Sequence, residues 1–337
     1  MPIQYTSILG ESRTVRSKAG IFDVSHMGRV NIHGPGSVRF LNRVLSLNVP
    51  RVRIGQAKYN LICNESGGII DDCILYRLDE ERFLLIPNAG NTSQILGWLS
   101  RWSSEKDQVK IENTTSESSM IALQGPQSVS ILENLTSTGI SNMKPFTAIE
   151  TTTPEIITII ARTGYTGEDG FEMIFPQEDS VEIWETLIEN GAMPCGLGAR
   201  DVLRLESGLL LHGSDMDASI NPYEAGLDKF VDPDKDDYIA GPALRRIRNH
   251  GASKQLIGFN ILGRGIPRHG YRIIDESCQI GHVTSGGYSP TLDRSIGLGY
   301  VPTGRMSVGS HFQIDVRGRA VEAVITSLPF YSRRRNA

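Results

Sequence analysis

The amino-acid sequence changes texture near residue 250, and this change constrains the fold more than any single motif. Beyond it the chain reads "LIGFNIL", "GYRII", "QIGHVTSGG", "SIGLGYV", "HFQIDVRG" and "AVEAVITSLP", short strands parted by turn residues, with no helical periodicity. Such a series predicts a small closed or nearly closed β domain. Before it, strand-like runs ("GRVNIHG", "AKYNLIC", "IIDDCILY", "RFLLIP") alternate with helical ones ("SVRFLNRVL", "NTSQILGWLSRW"), and in the latter Ile95, Leu99 and Trp102 keep helical spacing. A second mixed set runs from "SMIALQGPQSVSILENL" through "IITIIAR" and "FEMIFP" to a helix carrying Val181, Trp184 and Ile188. The two sets share no fixed period. Two related α+β lobes over residues 1–250 and a β domain over 251–337 are expected, with Pro242 at the first turn of a short linking helix and Asp179 with Glu182 as a capping box.

Composition narrows the function. The chain of 337 residues is 39% hydrophobic, enough for folded cores, and its formal net charge of -4 gives no basic field for nucleic acid. No apolar run approaches the roughly 20 residues that span a bilayer, and "MPIQYTSILGESR" is not a secretory signal, so a cytoplasmic protein is expected. Cys63, Cys73, Cys195 and Cys278 are widely spaced and are read as buried free thiols. The seven histidines form no close ligand set, which argues against a metal centre. Ser25 and His26, read as neighbours along a strand, would face apart and form no hydrolase triad.

Three stretches carry candidate chemistry. In "NESGGIIDDCILYRL" a Gly67-Gly68 turn precedes an apolar strand interrupted by Asp71 and Asp72. Alternation along a strand sends these two carboxylates to opposite faces, so at most one meets a given pocket. In "GYTGEDGFEMIF" the glycine spacing and the strand that follows point to a hairpin, not a phosphate loop. Glu172 then projects away from Phe171, Met173 and Phe175. It either lines a cavity, where it needs a partner, or lies exposed on an edge. In "CGLGARDVLRLESGL" a helix carries Arg200 and Arg204 on one side. Asp201 and Glu206 neutralise them, or an arginine near a pocket binds a ligand carboxylate.

"GIFDVSHMGRV", "NESGGIIDD", "NAG", "IALQGP", "GYTGEDGFE", "CGLGARDVLRLESGL", "NPYEAGL" and "GHVTSGGYSPTL" occur in an order that resembles the glycine cleavage system T protein family, over essentially the whole chain. The resemblance implies two α+β lobes and a C-terminal antiparallel β-barrel in a cloverleaf around a folate site. It implies an aminomethyltransferase that moves a one-carbon unit from the lipoyl arm of H protein to tetrahydrofolate, releasing ammonia and forming 5,10-methylenetetrahydrofolate. It assigns the catalytic carboxylate to the first aspartate, Asp71, facing the folate while Asp72 faces away. Glu172 matches a pterin-gripping glutamate, Arg200 an arginine at the folate site, and Tyr59 a pocket-lining tyrosine.

Two departures accompany the likeness. The family's leader ahead of the segment matching "MPIQYTSI" is largely absent here, so an incomplete N-terminal wall is expected. "NTSQ" follows "NAG" where the family carries a Lys-Asp pair, so the polar contact made there is not expected. Folate-dependent demethylases acting on small S-, O- or N-methyl substrates share the fold and stand as the alternative. A non-catalytic folate-binding accessory role is disfavoured, because "NPYEAGLDKFVDPDKDDYIAG" has no cysteine where those relatives carry one.

Overall fold

The computed structural model describes residues 1–333 apart from 137 and 154. Helix α1 (Ile8–Ser17) starts at Ser7, whose hydroxyl accepts from Gly10 N at 3.2 Å. It is followed by β1 (Gly20–Asp23), β2 (Val30–His33), α2 (Ser37–Val44), β3 (Ala57–Cys63), β4 (Ile69–Arg77), β5 (Arg82–Ile86), α3 (Thr92–Trp102) and β6 (Lys110–Asn113). The second stretch holds β7 (Ser118–Gln124), α4 (Ser128–Glu133), β8 (Ala148–Thr152), β9 (Ile157–Ala161), β10 (Gly170–Pro176), α5 (Ser180–Glu189), β11 (Met193–Pro194), α6 (Leu197–Glu206) and α7 (Gly241–His250). Pro242 lies in the first turn of α7, as the sequence predicts. Asp179 precedes α5 but makes no side-chain cap bond, because a 3-10 turn over Gln177–Asp179 holds its backbone near helical angles. The capping box expected with Glu182 is therefore not formed.

The lobes are interleaved. One sheet has the order β11-β1-β7-β10-β9-β8 and the other β3-β4-β5-β2-β6, so β1 and β2, adjacent in sequence, join different sheets. Phe22, Ala57, Tyr76, Leu84, Ile86, Ala122 and Ile174, drawn from both sheets, pack into one inner core. The outer faces are covered separately. Phe40, Leu41, Ile95 and Leu99 of α2 and α3 pack against Ile62, Cys73 and Leu75, while Ile131, Leu132, Ile183 and Leu187 of α4 and α5 pack against Phe171, Met173 and Phe175. Burial on both faces explains the nearly unbroken apolar runs of the central strands.

The remaining strands, β12 (Lys254–Ile261), β13 (Arg272–Asp275), β14 (Cys278–Ser289), β15 (Arg294–Pro302), β16 (His311–Val316) and β17 (Arg319–Thr326), form a closed antiparallel barrel in the order β12-β15-β14-β13-β16-β17. Closure leaves no unpaired edge. Cys63, Cys73 and Cys195 are buried free thiols, whereas Cys278, at the start of β14, is exposed. Ser25 and His26 lie in the turn after β1, not on a strand. Among the described residues no helix is long and apolar enough to cross a membrane.

Candidate functional site

The Gly67-Gly68 turn sets the start of β4 against another part of the chain. Gly67 takes φ +92, and a side chain on Gly68 would sit 1.9 Å from the Ala218 carbonyl oxygen. The close approach lets Ile69 N donate to Ile220 O at 2.9 Å, docking the segment after α6 onto β4. Alternation then decides where each carboxylate goes. Asp72 shares its face with Ile74 and Tyr76, which belong to the core between the sheets, whereas Asp71 shares the face of Cys73 and Leu75 beneath α2 and α3.

Asp71 is fully buried on the helix-covered side, and Asp72, half-buried, takes the inner face. The period of the strand separated the two residues correctly but carried no mark of which face the second sheet covers. Tyr59, on β3, stands beside Asp72 and donates to its Oδ2 at 3.1 Å. Its ring packs edge-on against Phe230, with centroids 4.7 Å apart.

The carboxylates also meet. β5 runs antiparallel to β4, and Ile86 pairs with Ile74, so the "PNAGN" turn after β5 arrives at the start of β4. Asn88 N donates to Asp71 Oδ2 at 3.0 Å, and Asn88 Nδ2 lies 2.8 Å from both Asp71 Oδ1 and Asp72 Oδ1. Opposite faces do not keep the pair apart, because one amide bridges them around the strand. Burial, then the charge of Asp71, pushes the Asp72 carboxyl up to about 6. Burial raises Asp71 as well, and the N–H donors of Asn88 and Asn91 oppose that rise. Burial and the neighbouring Asp72 raise the Tyr59 phenol.

Glu172 faces the same inner layer from the other sheet. It sits on β10 between β7 and β9, so it is an interior residue and not an edge one. Its Oε2 accepts from Thr163 Oγ1 at 2.6 Å and from Tyr76 OH at 3.4 Å. No cation pairs with it among the described residues. Arg200, in the first turn of α6, has its guanidinium 5.0 Å from the Tyr165 ring centroid, and its Nη1 is buried without a hydrogen-bond partner. The neutralisation read from the sequence goes elsewhere: Asp201 pairs with Arg204, and Glu206 with Arg16. His26 Nδ1 is likewise buried and unpartnered, and burial together with Arg200 lowers its pKa.

The inner face therefore gathers Tyr59, Asp72 and Tyr76 from one sheet and Glu172 from the other, with Arg200 stacked on Tyr165 from α6. Of the four site residues read from the sequence, Tyr59, Glu172 and Arg200 lie on or beside this layer, and Asp71 stands behind it. Residues 1–235 match the family model "GCVT N-terminal domain", and residues 254–332 match "Glycine cleavage T-protein C-terminal barrel domain". The chain belongs to the glycine cleavage T-protein family. It is similar to the aminomethyltransferase of Halothermothrix orenii, 42% identical over 334 residues that cover 98% of this chain and 93% of that protein. It is also similar to the aminomethyltransferase of Rubrobacter xylanophilus, at 44% identity over 337 residues, 100% of this chain and 89% of the relative. The crystal structure of the glycine cleavage system aminomethyltransferase T from Bartonella henselae superposes with a TM-score of 0.93 at 33% identity, covering 99% of this chain and 92% of that one. T-protein family membership makes this chain a transferase, and its two interleaved sheets with a closed barrel are the fold of that structure.

Asn88, Asn91, Tyr76, Thr163 and Tyr165 escaped the reading of the sequence as site residues. The two asparagines were legible only in hindsight of the pairing: "PNAGN" closes the strand that lies next to the one bearing Asp71 and Asp72.

Proposed function

We propose that this chain transfers an aminomethyl-derived one-carbon unit from the lipoyl arm of H protein to tetrahydrofolate, with release of ammonia. One observation carries the reading: the buried Glu172 and the half-buried Arg200, whose Nη1 is enclosed, form no salt bridge among the described residues. A buried charge without a partner is strongly unfavourable, so a ligand that matches both is called for. A pterin offers Glu172 adjacent N–H donors, and its acceptor groups suit the free Nη1 of Arg200. The residues present fit tetrahydrofolate, which when bound supplies the nitrogen nucleophiles that receive the one-carbon unit.

Asp72 is the carboxylate we place at the reacting centre, with Tyr59 as its orienting neighbour. The Tyr59 hydroxyl fixes Oδ2, and the bridging Asn88 amide fixes Oδ1. A carboxyl raised to about 6 is poised to hold a proton at one oxygen or to release it near neutral pH, and in its ionised form it stabilises positive charge developing on an amine. Asp71 acts behind it as the neighbouring charge.

The direct test supplies the purified chain with tetrahydrofolate and aminomethyl-loaded H protein. Ammonia and 5,10-methylenetetrahydrofolate should appear only when both are present. Tight folate binding without product would turn the reading toward demethylation of a small methyl donor, and absence of folate binding would end both.

A further inference from the structure

Asp71 has no cationic partner among the described residues. Three neutral N–H groups face its oxygens: Asn88 N at 3.0 Å, Asn88 Nδ2 at 2.8 Å and Asn91 Nδ2 at 2.8 Å. Surroundings made only of N–H donors suit the ionised carboxylate, which can only accept. Asn91 is itself held in one orientation. Its Nδ2 carries two hydrogens, and two short contacts use both of them, Asp71 Oδ1 at 2.8 Å and His212 Nδ1 at 2.9 Å. Turning the amide over would set its oxygen against the Asp71 carboxylate and the Ile70 carbonyl, which only accept. The amide nitrogen must face them, so His212 Nδ1 is an acceptor. His212 Nε2 lies 3.4 Å from the Ile69 carbonyl oxygen, also an acceptor, and it carries the ring hydrogen.

His212 comes from the segment directly after α6, the helix that presents Arg200, and this segment is pinned to β4 by Ile220 and the Gly68 approach. We propose that His212 is a positioning residue: in its neutral Nε2–H form it orients Asn91, and Asn91 with Asn88 holds Asp71 as the ionised neighbour of Asp72. The proposal rests on the reading that Asp72 works at the reacting nitrogen. The titratable groups that bear on Asp72 are Asp71 and Cys73 from its own strand, Tyr59 from β3, Tyr165 from the hairpin before β10, and His212. His212 reaches the pair through an oriented dipole and not through a direct ion pair.

The test follows the proton directly. Aspartate carboxyl carbons labelled with ¹³C report the Asp71–Asp72 titration by NMR in the ligand-free protein, whether or not the transfer reaction proceeds. His212→Phe removes the acceptor and frees Asn91, which weakens one hydrogen bond to the charged pair; its apparent pKa should rise by about one unit. His212→Asn, whose amide oxygen lies near the Nδ1 position, should restore the wild-type curve. In turnover, His212→Phe should lower kcat and leave KM for tetrahydrofolate unchanged. Should His212→Phe not fold, Asn91→Ala removes the same donor from the other side and should give the same upward shift. Superimposable titrations for wild type and the folded variant overturn the proposal, and leave His212 a packing residue. Shifted titrations in a protein inactive toward H protein would keep it, and would locate the failure in the assigned reaction.

Discussion

Arg200 and Arg204 stand one turn apart on α6, and their surroundings differ completely. Arg204, 3% exposed, donates to Asp201 Oδ1 at 2.8 Å, Asp215 Oδ2 at 2.7 Å, Ser285 Oγ at 2.9 Å and Leu209 O at 3.2 Å. Arg200 makes no such bond among the described residues. The acids show the same contrast. Glu206, at the end of α6, is fully buried and accepts from Arg16, Ser289 and Thr291, whereas among the described residues Glu172 meets only two hydroxyls. One set closes the seam between α6 and the barrel, and the other faces the inner layer. Fully matched buried charges fasten parts of the protein together. The unmatched ones, Arg200 and Glu172, are where the proposed ligand would bind.

The largest effect is expected on the inner layer. Asp72→Asn should lower kcat by about 10²- to 10⁴-fold, the usual contribution of a positioned acid–base group, with little change in tetrahydrofolate affinity. Steady-state kinetics on folded protein decides it, and near-normal turnover would remove Asp72 from the chemistry. Next comes the seam. Arg204→Ala leaves Asp215 buried without its cation and should cost about 3–5 kcal/mol in denaturant unfolding. Arg200→Ala should cost far less stability and should abolish tight folate binding; equal destabilisation of the two variants would erase the distinction between them. Glu172→Gln exchanges one acceptor for a donor and should weaken tetrahydrofolate by about 1.5–3 kcal/mol, roughly ten-fold or more in affinity. Calorimetry showing unchanged affinity would make Glu172 a structural residue held by Thr163 and Tyr76.

The smallest effect is one of pH, and it has opposite signs for rate and stability. Asp72 titrates near 3.8 as a free group and is raised to about 6 in the fold. The folded state therefore holds this proton more tightly than the unfolded chain does. Stability from that source is complete below the unfolded value and is lost as pH rises through the folded one. If the ionised form is the active one, kcat/KM should climb through the same interval. Unfolding midpoints measured on either side of it, for wild type and Asp72→Asn, test the first statement: the variant should lack the decline. A rate limb that persists in Asp72→Asn would assign the titration to another group.

Much of this was legible in the sequence because local rules and tertiary structure agree there. Short strands after residue 250 close into a barrel, Glu172 points away from Phe171, Met173 and Phe175, and the glycines from 164 to 170 sit in a hairpin. Other features depended on partners far along the chain. Alternation cannot say whether Asp71 or Asp72 meets a second sheet, since Cys73 and Tyr76 on the two faces are both buried. No local pattern shows that Asn88 bridges both carboxylates, because that contact is made by strand pairing. Nor does the charge pattern of α6 distinguish Arg204 from Arg200: the partners of Arg204 come from Asp215 and the barrel residue Ser285.

The exchange of β1 and β2 between sheets bears on how the polypeptide is made. Gly20 pairs with Gln124 and Met193, so a nascent chain that has delivered β1 must wait for distant segments before that strand has neighbours. The five-stranded sheet, by contrast, can assemble once β6 has left the ribosome. Synthesis from the N-terminus then leaves β1 and the back of α1 unsheltered during elongation, when an exposed apolar strand is most prone to wrong pairing. A fragment ending after β6 should form the five-stranded sheet yet carry Gly20–Asp23 without its partners, and should be captured by chaperones through that stretch.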